Sequence, residues 1–297
     1  MVSRRVFGRL AASTFLAAHA PQSWAQPSTK LDQRFSVMIW TLKQRGSFEE
    51  NLERVARAGY SHVELVGEFL KWSEAETSRM MARMDALGIS VDATSGLAAG
   101  FADPAEAATY PAKLREFVQA AHRVRCKKLI LLSGKRVPGM SEQEQQQVAI
   151  ETLKRAADVL EQTGTEVLLE PIDRLENPPI WMDTVEQAFA IAQAVGSPRI
   201  KVLYDLYHEQ RTHGNLIEKL EKNIAAVGLI HIADVPGRYE PGTGEMNYGN
   251  IYRKLGELKY EGMIAMEFYP TGDIVEMLRG ARLEASQGMR QGIQLKG

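Results

Sequence analysis

From Phe35 onward one pattern repeats along the chain: a short continuous apolar run, a polar residue at its end, then a stretch whose apolar positions recur at helical period. The runs predict strands at 36–42, 62–66, 90–94, 128–132, 166–170, 200–205, 228–232 and 263–267. The stretches between them predict helices at 48–58, 74–87, 111–124, 142–162, 185–195, 216–226 and 249–258, with a last one at 273–285. Punctuation agrees with these bounds. Ser47 and Ser73 stand where N-caps belong, and Gly59, Gly88, Gly164 and Gly196 follow the last periodic residue of a helix. The runs are continuously apolar rather than alternating, as in Leu129-Ile130-Leu131-Leu132. A parallel sheet covered by helices on its outer face requires this. Eight such units predict an α/β fold, a single (β/α)₈ TIM barrel over 26–297. An open doubly wound sheet is the rival, but no GxGxxG follows the first strand, so a dinucleotide site has no support.

Residues 1–25 break the pattern. Ser3-Arg4-Arg5-Val6-Phe7 is followed by a short apolar middle and by the small-x-small sites Ala18-His19-Ala20 and Ser23-Trp24-Ala25. This predicts a cleavable twin-arginine signal peptide over 1–25, and with it a periplasmic location. The middle is too short to remain as an anchor.

Composition changes the picture only at the edges. The 297 residues are 44% hydrophobic and 25% charged, the balance of a folded globular protein. The net charge is −1; loss of Arg4, Arg5 and Arg9 with the leader moves it to −4, so no basic field favours nucleic acid as a partner. A lone cysteine, Cys126, excludes an internal disulfide and any CxxC metal motif, and reads as a small buried residue.

Chemistry in a barrel of this kind sits at the carboxyl ends of the strands. Four successive strands end in a metal-ligand type: Glu170 after Val167-Leu168-Leu169, Asp205 after Val202-Leu203-Tyr204, His231 after Leu229-Ile230 and Glu267 after Ile264-Ala265-Met266. Their spacings of 35, 26 and 36 residues each amount to one repeat of the unit. Neighbouring strands lie ~4.8 Å apart, so the four tips can converge at the mouth. Three carboxylates meeting without a cation would repel one another. The donor set therefore predicts one divalent metal ion, Mn²⁺, Mg²⁺ or Co²⁺ by hardness, with Zn²⁺ also accommodated.

Other residues are candidates for substrate contact. His208, three residues past Asp205, falls in the loop above the mouth, where it either touches substrate, orients a ligand or is a plain surface histidine. The long Gly/Pro loop from Ala233 to Glu245 carries Arg238, whose planar fork suits a substrate carboxylate; the alternative is a pair with Glu240 or Glu245. Glu64 and Glu68 either line the mouth or, for Glu64, form a buried structural carboxylate. Trp40 is either an apolar wall of the site or a core residue, and Lys135-Arg136 reads as a solvated turn.

Leu169-Glu170-Pro171, Tyr204-Asp205-Leu206-Tyr207-His208, His231-Ile232-Ala233-Asp234-Val235-Pro236-Gly237-Arg238, Glu240-Pro241-Gly242-Thr243-Gly244-Glu245-Met246-Asn247-Tyr248 and Met266-Glu267-Phe268 together resemble the hydroxypyruvate isomerase family. That family belongs to the xylose isomerase-like TIM barrels, and the resemblance spans nearly all of residues 35–290. It implies that Glu170, Asp205, His231 and Glu267 hold the metal and that Glu170 and Glu267 double as the proton-transfer pair. It also implies isomerisation of a small hydroxy-keto acid, with hydroxypyruvate to tartronate semialdehyde as the named case. Hydroxypyruvate isomerases commonly carry Gln where His231 stands, whereas the epimerase relatives carry His; a ketose 3-epimerase or polyol dehydratase on the same site is the alternative. The expected partner is a small molecule; a homo-oligomer is compatible with the sequence, which locates no interface for it.

Overall fold

The computed structural model describes residues 30–296. The leader read at 1–25, and the start of the barrel domain at 26, lie outside the described residues. Eight strands, β1 (Phe35–Met38), β2 (His62–Val66), β3 (Ser90–Ser95), β4 (Lys128–Leu132), β5 (Glu166–Glu170), β6 (Ile200–Asp205), β7 (Val227–Ile232) and β8 (Met263–Met266), form a closed barrel in chain order. Every pairing is parallel, including the closing pair of β1 with β8.

Nine α-helices wrap it: α1 (Phe48–Arg57), α2 (Glu74–Leu87), α3 (Tyr110–Arg123), α4 (Glu142–Thr163), α5 (Val185–Val195), α6 (Leu206–Thr212), α7 (Leu216–Asn223), α8 (Tyr248–Glu257) and α9 (Ile274–Leu295), counted among the described residues. The caps explain where several begin. Ser47 with Glu50, Ser73 with Glu76 and Ser141 with Glu144 each form a reciprocal capping box. Among the described residues, no helix is long and apolar enough to cross a membrane.

Two apolar regions follow from strand alternation, which sends successive side chains to opposite faces. Outward residues such as Val63, Leu65, Leu129 and Leu131 pack under the helices. Inward residues Met38, Ala93, Ile130, Leu168, Leu203, Leu229 and Ala265 pack against one another inside the barrel. Two residues farther on, Ser95, Leu132, Glu170, Asp205 and His231 on their strands and Glu267 one residue past β8 fall in the same inward phase, now at the mouth, and Trp40 in the 3₁₀ segment after β1 joins them there. The period of two thus decides which tip residues share one space.

The structure departs most from the predicted elements in three places. β1 stops at Met38 and turns into a 3₁₀ segment at Ile39–Leu42. α6 was not foreseen; it is a short helix started by Asp205 itself. α9 extends to Leu295, ten residues beyond the predicted end, because Gly292 lets it lie on α8: a Cβ there would come within 1.9 Å of the Arg253 carbonyl oxygen.

Candidate metal centre and catalytic cavity

Glu170, Asp205, His231 and Glu267 are all buried, and each offers a ligand atom within 4.8 Å of the others'. Register contributes directly, since Asp205 pairs with His231 across β6 and β7. The Glu267 amide donates to the Ile232 carbonyl (3.0 Å), carrying the β7–β8 ladder one residue past β8.

Asp205 has two separate tasks. Its Oδ1 caps α6, accepting from the amides of Tyr207 (2.8 Å) and His208 (3.2 Å). Its Oδ2 is buried and accepts no hydrogen bond, with His208 Nε2 (3.5 Å) and Arg238 Nη2 (3.8 Å) near it but beyond hydrogen-bonding geometry. A buried carboxylate oxygen without a donor is costly unless a cation meets it. The donor set of three carboxylates and one imidazole, with that orphaned oxygen, fits a divalent ion.

The two glutamates differ in their surroundings. Glu267 Oε1 accepts from Trp40 Nε1 (3.0 Å), and Oε2 faces His231 Nδ1 (2.6 Å) and Arg238 Nη2 (2.9 Å). Burial alone would raise its pKa, but Arg238 and His231 outweigh burial and hold it well below the usual carboxylate range. Burial first, and then the Glu267 charge, push Glu170 up to about 8. One glutamate is therefore anchored and charged, the other readily protonated.

His231 is fully buried, and its second nitrogen, Nε2, lies 2.9 Å from Glu64 Oε2. Although burial opposes it, the charges of Glu64 and Glu267 raise the imidazole well above its ordinary value. Glu64 is thus not at the mouth. It is buried beneath it, and Glu68 turns its carboxylate to the Val66 amide at 2.5 Å.

Above the four donors lies a cavity of about 330 Å³, lined among others by Trp40, Leu132, Glu170, Glu176, His208, Arg238 and Glu267. Trp40 is therefore a wall of the site. His208 is neither in a loop nor on the surface: it sits in the first turn of α6, buried, with Nδ1 2.7 Å from Asp173 Oδ2 and Nε2 3.5 Å from Asp205 Oδ2.

Arg238 pairs with neither Glu240 nor Glu245. Its guanidinium contacts Glu176 and Glu267 and lies over the rings of Trp40 (5.6 Å) and Tyr207 (5.1 Å). Glu240 instead binds the Thr271 amide (3.0 Å). The loop that presents Arg238 is knit by Asp234, whose carboxylate accepts from the amides of Val235, Gly242, Gly244 and Met246. Arg238 itself has φ +58°, a left-handed conformation that a non-glycine residue adopts only where its surroundings enforce it.

Two residues absent from the sequence reading lie beside this space: Glu176 lines it, and Asp173 is buried behind His208. With His208 they form a second close group of acids and imidazole, offset by Arg211 and Arg238. Their signal was present as acids three and six positions after Glu170, in a loop read only for its strand tip. Lys135-Arg136 lies at the surface, with Arg136 paired to Glu142.

Comparison with known proteins gives this geometry a context. The model of the family described as xylose isomerase-like TIM barrel matches residues 52–294. A human protein named "Putative hydroxypyruvate isomerase" is 31% identical over 266 residues, covering 84% of this chain and 94% of the relative. The 2-oxo-tetronate isomerase of Cupriavidus necator is 28% identical over 246 residues, covering 80% of this chain and 93% of its own. A crystal structure described as AP endonuclease, family 2, from Brucella melitensis superposes with a TM-score of 0.75 at 24% identity, over 83% of this chain and 96% of that one. At that identity the likeness is one of fold alone.

Proposed function

The chain belongs to the hydroxypyruvate isomerase family of xylose isomerase-like TIM barrels, and from that premise we propose that it is a metal-dependent isomerase of a small hydroxy-keto acid, with hydroxypyruvate to tartronate semialdehyde as the leading case. The observation that carries the proposal is the convergence of Glu170, Asp205, His231 and Glu267 around a buried, donorless Asp205 oxygen.

When bound, a divalent cation there supplies Lewis-acid polarisation of adjacent carbonyl and hydroxyl oxygens. The rest falls to side chains. Glu267, charged and fixed by Trp40 and Arg238, takes the proton from the hydroxyl-bearing carbon. Glu170, which carries a proton and faces the cavity, returns one to the neighbouring carbon, and exchange with solvent restores both carboxyl groups. The hydroxyl proton passes from one oxygen to the other, so substrate and product are isomers and no oxidant is consumed. Arg238 receives the substrate carboxylate in exchange for Glu176, the most exposed of its three carboxylate partners. The cavity volume lies at the low end of small-molecule sites (roughly 300–1,000 Å³), which suits a short acid.

The test is deuterium uptake from D₂O, followed by NMR in the presence of Mn²⁺. Exchange into hydroxypyruvate with formation of the aldehyde isomer supports the reading. Exchange confined to neutral ketoses would move the assignment to a 3-epimerase, the alternative that His231 favours, and no exchange on either class would reject catalysis. The reading includes export by the twin-arginine route, checked by whether Lys-Lys in place of Arg4-Arg5 retains a fused reporter in the cytoplasm.

A further inference from the structure

Seven strands place an apolar side chain in the barrel interior one step below the mouth. β2 is the exception. The residue in the same inward phase, paired with Met38 on β1 and Ala93 on β3, is Glu64. It is fully buried, Oε2 lies 2.9 Å from His231 Nε2, and Oε1 has no hydrogen-bond partner.

Packing does not explain a carboxylate here, since an apolar side chain would complete the hydrocarbon floor and spare the desolvation of a charge. What Glu64 does is occupy one nitrogen of His231. The other, Nδ1, faces Glu267 Oε2 at 2.6 Å and Asp205 Oδ2 at 4.0 Å, on the side of the other candidate ligands. We infer that Glu64 is a positioning residue for the cation site: by accepting from Nε2–H it holds His231 in the tautomer whose Nδ1 lone pair points at Asp205, Glu170 and Glu267. The carboxylate also makes the imidazole a stronger donor to a cation, as partners on the far nitrogen of a ligating histidine do. The inference rests on the cation site of the proposed function and not on the identity of the substrate.

The experiment is calorimetric titration of chelator-stripped protein with Mn²⁺, without substrate. Glu64→Ala weakens binding about 10–100-fold. Glu64→Gln, whose amide oxygen still accepts from Nε2–H, keeps most of the affinity. In the Zn²⁺-loaded wild type, nitrogen–proton correlation NMR finds the His231 proton on Nε2. A folded Glu64→Ala protein binding Mn²⁺ within about twofold of wild type overturns the inference. So does a His231 proton on Nδ1 in the loaded wild type, a result that needs no variant to fold. Wild-type protein that takes up no cation overturns the site itself, whereas inertness toward hydroxypyruvate leaves the role of Glu64 standing.

Discussion

Arg238 and Glu176, 62 positions apart in the chain, form an ion pair across the mouth of the barrel. The loop after β7 carries one partner and the loop after β5 the other. The same guanidinium reaches down to Glu267, so the arginine links the rim to the candidate proton-transfer residue.

Arg238→Lys should therefore fail to rescue Arg238→Ala. A lysine presents its N–H groups from one compact point and lacks the planar fork that spans Glu267 and a substrate carboxylate. Steady-state kinetics on the acid substrate should show kcat/KM down about 10–150-fold in both variants, the equivalent of one or two charged hydrogen bonds. A lysine variant with wild-type kcat/KM would contradict the clamp.

Glu170→Gln removes the protonatable group and leaves an oxygen for the cation. Isomerase turnover should fall about 10²–10⁴-fold, as for loss of a general acid. Mn²⁺ binding, measured alongside, should persist in weakened form. Unimpaired turnover would assign proton return to another residue.

The cation-free protein should become less stable as pH rises from 6 to 8.5. Glu170 has its folded value raised from 4.5 to about 8, so its stabilising proton is fully present below 4.5 and lost as pH climbs toward 8. His231, raised above 6.5, works in the same direction. Glu267, held low, is already charged across this window and adds no slope. Melting curves in EDTA should shift down by several degrees, at roughly 2–4 °C per kcal/mol. Mn²⁺ at a hundredfold excess over its Kd should raise the melting point by about 5–10 °C, from ~2.7 kcal/mol of binding linkage. A melting point that climbs with pH in EDTA would rule this account out.

Cys126 should be silent toward thiol reagents in the native protein. It is buried, and burial pushes its thiol up to about 12, so almost no thiolate exists at pH 8. Ellman's reagent should titrate one thiol only after unfolding; rapid labelling of native protein would show that the segment around β4 opens.

Much of this was legible in the order of residues alone. Continuous apolar runs such as Val167-Leu168-Leu169, each ending in a polar tip, specified eight parallel strands, and the tips Glu170, Asp205, His231 and Glu267 marked the candidate centre. These are local signals, since a strand's period of two and a helix's cap are written within a few residues. What only the tertiary structure decided was partnership between distant segments. Glu64 under His231, Trp40 against Glu267, Glu176 on Arg238 and Asp173 on His208 join residues from 35 to 227 positions apart. A carboxylate in the apolar interior and one at the rim look alike in sequence. Barrel closure, by setting which inward side chains share a space, gives each its own neighbours and so its own charge.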